Sequence, residues 1–229
     1  MFGVVWWKER GRVNLVRERI LTLPVLKVGV TGGGRWDGYK LDKAARLLRR
    51  AGVRRLLPIR GFERWDILGA RGLVPVDGLA LYRAMAAELV MSKLEREGRD
   101  PTRTAVVLRS DWVDSDMAKA AEKLCAHVRH VVVDTTRGGE QLSKQLYRQY
   151  GAAVAPIHSS VCVLTVRFGG QSRGEDLVLC GAAELGGMTL EASGLVLPEE
   201  LEPVPVLSAL WQAGVLNTEQ LHVVENKFP

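Results

Sequence analysis

Four aspartates are the residues of this chain whose type and spacing best suit chemistry. Asp111, Asp114 and Asp116 fall close together, and Asp134 follows 18 residues after Asp116. Carboxylate oxygens bind Mg²⁺, and a single acid at a strand end can hold a ribose hydroxyl or a ligand amino group. Aspartates before a helix also cap its first N–H groups and favour its dipole. We favour capping over either ligand, and we assign no metal and no catalytic residue.

Strands and helices alternate around these aspartates. Apolar runs at 104–108, 130–134 and 152–156 predict buried strands, and apolar spacing at 116–128 predicts an amphipathic helix. Residues 139–150 predict a second helix. This order is typical of parallel β-α-β units, whose strand carboxyl ends share one edge of the sheet. We therefore expect residues 110–116 and Asp134 to lie on one rim.

The run resembles a Rossmann dinucleotide-binding unit in its spacing, over about residues 103–156. Asp134 stands roughly where the ribose-binding acid of such a unit belongs. The first strand, however, leads into Arg-Ser-Asp-Trp-Val-Asp-Ser-Asp rather than a G-x-G-x-x-G loop. Phosphates beside three aspartates would be repelled, so the resemblance implies a crevice without standard dinucleotide chemistry.

A second candidate site is the glycine-rich segment at residues 31–38, between a predicted strand at 25–30 and a predicted helix at 41–51. That context suits a phosphate-binding loop, and Arg60 could then meet a 2′-phosphate. The residues assigned to this loop are Gly32, Gly33, Gly34, Arg35 and Gly38. A flexible connecting loop explains the same residues, and it is the favoured interpretation.

The charge is unevenly distributed, with +11 over residues 1–103 and −5 over residues 104–229. A basic half can bind nucleic acid through its phosphates, with a tryptophan stacking on a base. The residues considered for this role are Arg46, Arg49, Arg50, Arg54, Arg55, Trp36 and Trp65. We favour a solvated basic face, so nucleic acid is a secondary candidate partner.

The predicted fold class is α/β: three-layer, with a Rossmann-like parallel sheet in the second half, an N-terminal β-hairpin and helical region, and a C-terminal β-hairpin. The hairpins pair residues 2–7 with 13–20 and residues 161–168 with 175–182. One long helix is predicted at 78–97 and a last strand at 221–225. The proposed domains are 1–100, a basic α/β region, and 101–229, a degenerate Rossmann-like domain.

Composition places the chain among globular proteins, with 229 residues and 47% hydrophobic residues. The N-terminus does not resemble a signal peptide and no apolar run suits a bilayer, so we expect a cytoplasmic location without membrane partners. Cys125, Cys162 and Cys180 are expected to be buried, reduced thiols.

The sequence thus predicts a cytosolic binding or regulatory protein with a small nucleotide-like ligand, no assigned cofactor and homo-oligomerisation left open. The alternatives are a nucleotide- or NADP-dependent enzyme that uses the loop at 32–38, and a nucleic-acid-associated protein that uses the basic half.

Overall fold

The computed structural model describes residues 1–32, 37–151, 162–172 and 174–226. They form an α/β protein with two compact units, Met1–Gly78 with Ala192–Gln220 and Leu79–Glu191 with Leu221–Pro229. Within the described ranges, no helix combines the length and the apolar character that crossing a membrane requires.

The elements follow one another in the order expected of an α/β chain. The strands are β1 Phe2–Lys8, β2 Asn14–Ile20, β3 Leu23–Thr31, β4 Arg55–Leu56, β5 Val74–Pro75, β6 Thr104–Trp112, β7 His130–Arg137, β8 Cys162–Arg167, β9 Leu177–Val178, β10 Met188–Ala192 and β11 Leu221–Glu225. The helices are α1 Asp37–Arg50, α2 Trp65–Gly69, α3 Leu79–Ala84, α4 Ala86–Arg96, α5 Ser115–Cys125, α6 Gly139–Tyr150 and α7 Pro203–Gln212. The predicted helix at 78–97 is thus two helices that meet at Met85.

The first unit contains a mixed sheet in the order β2-β3-β1-β4-β5, in which only β2 runs against its neighbour. The predicted hairpin of residues 2–7 with 13–20 is therefore wrong, because β3 lies between β1 and β2. Val4 and Val5 are buried in β1, which suits a central strand. Nearly all of β2 is exposed, which suits an edge strand, and it pairs with β3 through a short turn after Ile20.

The second unit contains a parallel sheet in the order β7-β6-β8-β9. The expected face of α5 is confirmed, since Met117, Ala120, Ala121 and Leu124 are buried. The predicted strand at 152–156 lies outside the described residues, and β8 pairs with β6 on the side opposite β7. A separate two-stranded sheet joins β10 and β11.

The predicted C-terminal hairpin of residues 161–168 with 175–182 is wrong, because β8 and β9 run parallel. The Asp176 carboxylate explains the direction of the returning chain. It accepts hydrogen bonds from the N–H (2.7 Å) and the hydroxyl (2.9 Å) of Thr165, beside the middle of β8. The chain is thus held next to β8 just before β9 begins, and the two strands then advance in the same direction.

Candidate functional site

A crevice opens at the carboxyl ends of β6, β7 and β8, in the parallel sheet of the second unit. β6 and β7 remain paired as far as Trp112 and Arg137, whereas β6 and β8 separate after Arg109 and Arg167. The cavity there has a volume of about 260 Å³. It is lined by Arg109, Ser110, Asp134, Thr135, Thr136 and Arg167. The sequence placed residues 109–112 in a loop, but they continue β6.

Two arginines, with an acidic side chain beside each, lie along this edge of the sheet. Arg109 is the register partner of both Asp134 and Arg167, so the three side chains project from the same face. The Arg109 Nε donates to Asp134 Oδ2 at 3.1 Å. The Arg167 Nε donates to Glu175 Oε1 at 2.7 Å, and the Glu175 side chain is fully buried. Of the residues expected to share a rim, Ser110 and Asp134 line this cavity together.

Arg109 retains hydrogen-bonding capacity toward the cavity. Its Nη1 lies 3.8 Å from Glu175 Oε1, which is beyond hydrogen-bond distance. A guanidinium has five N–H donors, and among the described residues Asp134 takes only the one on Nε. The Asp134 side chain is 59% exposed, so a ligand can reach both members of the pair.

Two glycines approach the end of β6 and shape the crevice. A Cβ on Gly169 would lie 2.7 Å from Ser110 Oγ, and a Cβ on Gly170 would lie 2.8 Å from Asp111 Oδ1. Gly170 also has a φ of +81°, which side chains rarely adopt. Only glycine therefore allows the chain after β8 to pass this close to Ser110 and Asp111.

Asp114 caps α5, which confirms the capping interpretation for that residue, and Asp116 has a structural partner of its own. The Asp114 side chain accepts hydrogen bonds from the N–H groups of Asp116 (3.1 Å) and Met117 (3.0 Å) at the start of α5. Arg83 forms ion pairs with both carboxylates. No group of three or more potential metal ligands occurs in the described part of the chain.

The glycine-rich loop belongs to the first unit, between β3 and α1. Gly33, Gly34 and Arg35 lie outside the described residues. The strand–loop–helix context is confirmed, but Gly38 lies inside α1, and a Cβ on Gly32 would come within 3.1 Å of the Trp7 ring. The Arg60 Nε donates to the Leu201 carbonyl at 3.3 Å.

The arginines considered for nucleic acid are partly engaged within the first unit. Arg46 pairs with Asp42 at 2.8 Å, Arg49 donates to the Val53 carbonyl at 3.4 Å, and Arg55 donates to Gln212. Hydrogen bonding from Arg71 further lowers the pKa of the Asp42 carboxyl. Trp65 packs edge-on against Phe62 with ring centroids 5.0 Å apart, and Trp36 lies outside the described residues.

Sequence reasoning missed Arg83, Arg109, Arg167, Glu175 and the two glycines. The sequence contains a usable signal for two of them, because Arg109 and Arg167 are charged residues at the ends of otherwise apolar strands. Arg83 and Glu175 lie in segments whose patterns contain nothing that relates them to the strand ends.

The expected burial of all three cysteines is wrong for Cys162, which is exposed at the start of β8, and Cys125 and Cys180 are only half-buried. Burial raises the pKa of the Cys125 and Cys180 thiols. Because the thiolate is the nucleophile, iodoacetamide at pH 8 should alkylate Cys162 faster than the other two. Peptide mass spectrometry over a time course would measure the three rates. Equal rates, or faster labelling of Cys125, would contradict the described burial.

No protein-family model matches this chain, and a search of the curated proteins found no match either.

Proposed function

We propose that the second unit is a Rossmann-like, three-layer binding module for a small hydroxyl-rich ligand, such as a nucleoside, and that its role is regulatory rather than catalytic. One observation carries the proposal: the polar cavity at the carboxyl ends of β6, β7 and β8, with Asp134 on its wall. In open α/β sheets, ligands bind in the crevice at this edge, where the strand order reverses.

The strand order supports this assignment. The first strand of the unit, β6, lies between the second, β7, and the third, β8. The chain thus adds β7 on one side of β6 and β8 on the other, which creates the switch point that ligands occupy. The cavity lies at this position because β8 stops pairing with β6 at Arg109.

The lining supports a ligand rich in hydroxyl groups. Arg109 supplies donors, Asp134 supplies an acceptor, and the Ser110 hydroxyl supplies both. The Thr135 and Thr136 hydroxyls donate to the carbonyls of Arg137 and Asp111, so they offer acceptor lone pairs. The positive charges of the two lining arginines, Arg109 and Arg167, are balanced by the negative charges of Asp134 and of the buried Glu175. A neutral polyol suits balanced charges better than a diphosphate does, and Asp111 at the end of β6 adds further repulsion toward phosphate.

A binding role is favoured over catalysis by the types of residue in the lining. Within the described residues, the cavity wall includes three hydroxyls but no histidine or cysteine. A hydroxyl nucleophile needs an adjacent base within hydrogen-bond reach, whereas the Thr135 and Thr136 hydroxyls donate to backbone carbonyls.

Calorimetric titration with adenosine, ATP and NAD⁺ would test the proposal. Adenosine should bind, and at 100 times its Kd it should stabilise the fold by about 2.7 kcal/mol. Asp134→Asn should weaken adenosine binding by about tenfold or more, because a hydrogen bond to a charged group is lost. Asp66→Asn, an exposed position in the first unit, is the matched control.

Three results would count against this function. They are the absence of adenosine binding, equal affinities for Asp134→Asn and Asp66→Asn, and tighter binding of ATP or NAD⁺ than of adenosine. Turnover of any of the three compounds would remove the non-catalytic part of the proposal.

A further inference from the structure

The paired strands β6 and β7 extend beyond the rest of the parallel sheet at the edge of the crevice. After β8 has stopped pairing with β6, residues 110–112 of β6 still run beside residues 135–137 of β7. The Val113 N–H donates to the Arg137 carbonyl at 3.1 Å, which closes the end of this two-stranded ribbon. Residues of the ribbon line the cavity, so the ribbon forms one wall of the crevice.

One face of this ribbon connects the cavity with a tryptophan. Ser110 pairs with Thr135, and Trp112 pairs with Arg137, so these four side chains share a face. Ser110 and Thr135 line the cavity. Since a strand rises about 3.3 Å per residue, the Trp112 backbone lies roughly 7 Å farther along the ribbon. The indole therefore comes directly after the cavity lining on the same face.

The face of the Trp112 ring is open. Trp112 is 59% exposed, more than any other tryptophan of the described residues. No aromatic ring or cation stacks on its indole in that part of the chain. Arg137 is directly opposite and is the neighbour best placed to cover the ring, yet its guanidinium does not lie over it. A planar ligand ring can therefore lie against the indole.

The core of the second unit does not need this indole. The first five residues of β6 are buried, whereas Asp111 and Trp112 at its end are exposed. An indole in this position keeps a large apolar surface in water. A ring stacked on it would remove part of that surface from water, which is favourable.

We propose that Trp112 stacks on the ligand of the crevice, which narrows the ligand class to polyols that carry a planar aromatic ring. This inference rests on the function proposed for the crevice: hydroxyl groups occupy the cavity beside Asp134, and the ring lies on the indole. A nucleoside has both parts, whereas a free sugar lacks the ring. Because every base has a π-face, the site should distinguish nucleosides from sugars more strongly than one base from another.

Calorimetric titration of the full chain compares adenosine with methyl β-D-ribofuranoside, which keeps the ribose but has no base. The wild type should bind adenosine at least about tenfold more tightly than the riboside. This ratio corresponds to one base stacked on an aromatic side chain.

Variants assign the preference to the indole. Trp112→Ala should weaken adenosine binding about tenfold and leave riboside binding unchanged, because only the base contacts the ring. Trp112→Phe should keep most of the preference, since a phenyl ring can still stack. Tyr147→Ala, at an exposed aromatic position on α6 of the same unit, is the control and should bind both compounds like the wild type.

Failure of this inference is distinguishable from failure of the proposed function. If adenosine binding depends on Asp134 but Trp112→Ala binds adenosine as tightly as the wild type, or weakens both compounds equally, the stacking role is overturned and the crevice function stands. If adenosine does not bind, or Asp134→Asn binds it like the wild type, the crevice function fails and the stacking role with it. Circular dichroism establishes that each variant is folded. Should Trp112→Ala not fold, Trp112→Thr takes its place, because threonine suits a strand.

Discussion

Arg83→Ala is expected to destabilise the second unit by about 2–4 kcal/mol, because it removes several polar contacts of one poorly exposed guanidinium. Arg83 pairs with Asp114 and Asp116 at the start of α5. It also donates to the carbonyls of Phe168 (2.6 Å) and Leu179 (3.1 Å), which follow β8 and β9. Its removal leaves two carbonyls without this donor and two partly exposed carboxylates without their ion pairs.

Urea unfolding followed by circular dichroism measures this effect. Arg83→Lys should recover only part of the lost free energy, because one ammonium cannot match the fork of donors of a guanidinium. Arg148→Ala, at an exposed position on α6, is the control and should stay within about 0.5 kcal/mol of the wild type. A loss for Arg83→Ala as small as that of the control would show that these contacts do not stabilise the fold.

Arg83 also shows why part of the structure could not be predicted from the sequence. The local pattern places it in a helix, and that prediction is confirmed. Its partners are 31 to 96 residues away along the chain, and no periodicity connects them. Helical and strand spacing identify which residues share a face, but they do not identify which faces meet.

The strands illustrate the same limit. Apolar runs correctly indicated β1, β6, β7 and β8. Burial on both faces accounts for the continuous apolar run of β6, whose first five residues are all buried. Pairing is decided by long-range contacts, and both predicted hairpins failed for that reason. β3 inserts beside β1, and Asp176 guides the chain into a parallel β9.

For the crevice, the sequence predicted the rim but not the residues that shape it. The parallel register places Asp134 beside Arg109, as expected from alternating strands and helices. Asp114 and Asp116, which were candidate ligand-binding residues in the sequence, form ion pairs with Arg83 instead. The cavity is formed by arginines at the strand ends and by glycines after β8, whose roles depend on how closely separate segments approach.

Glu175→Ala is expected to destabilise the second unit by about 3–5 kcal/mol, because it leaves the Arg167 guanidinium uncompensated in a buried site. The Glu175 side chain has no exposed surface, and that of Arg167 is 11% exposed. The second carboxylate oxygen accepts a hydrogen bond from Ser172 at 3.0 Å. One side chain thus fixes the segment after β8 to the end of the strand.

A double-mutant cycle separates this interaction from general disruption of the core. Arg167→Ala with Glu175→Ala should be less destabilised than the sum of the two single variants, by about 0.5–3 kcal/mol, since neither charge is then left unpaired. Glu140→Ala is the control, because that carboxylate is exposed and its pair with Lys144 contributes little. If the destabilisations of the two single variants simply add, the Arg167–Glu175 pair does not hold the segment after β8.

Adenosine affinity should fall in Glu175→Ala even where the protein remains folded, because Arg109 loses the buried carboxylate that helps position it beside Asp134.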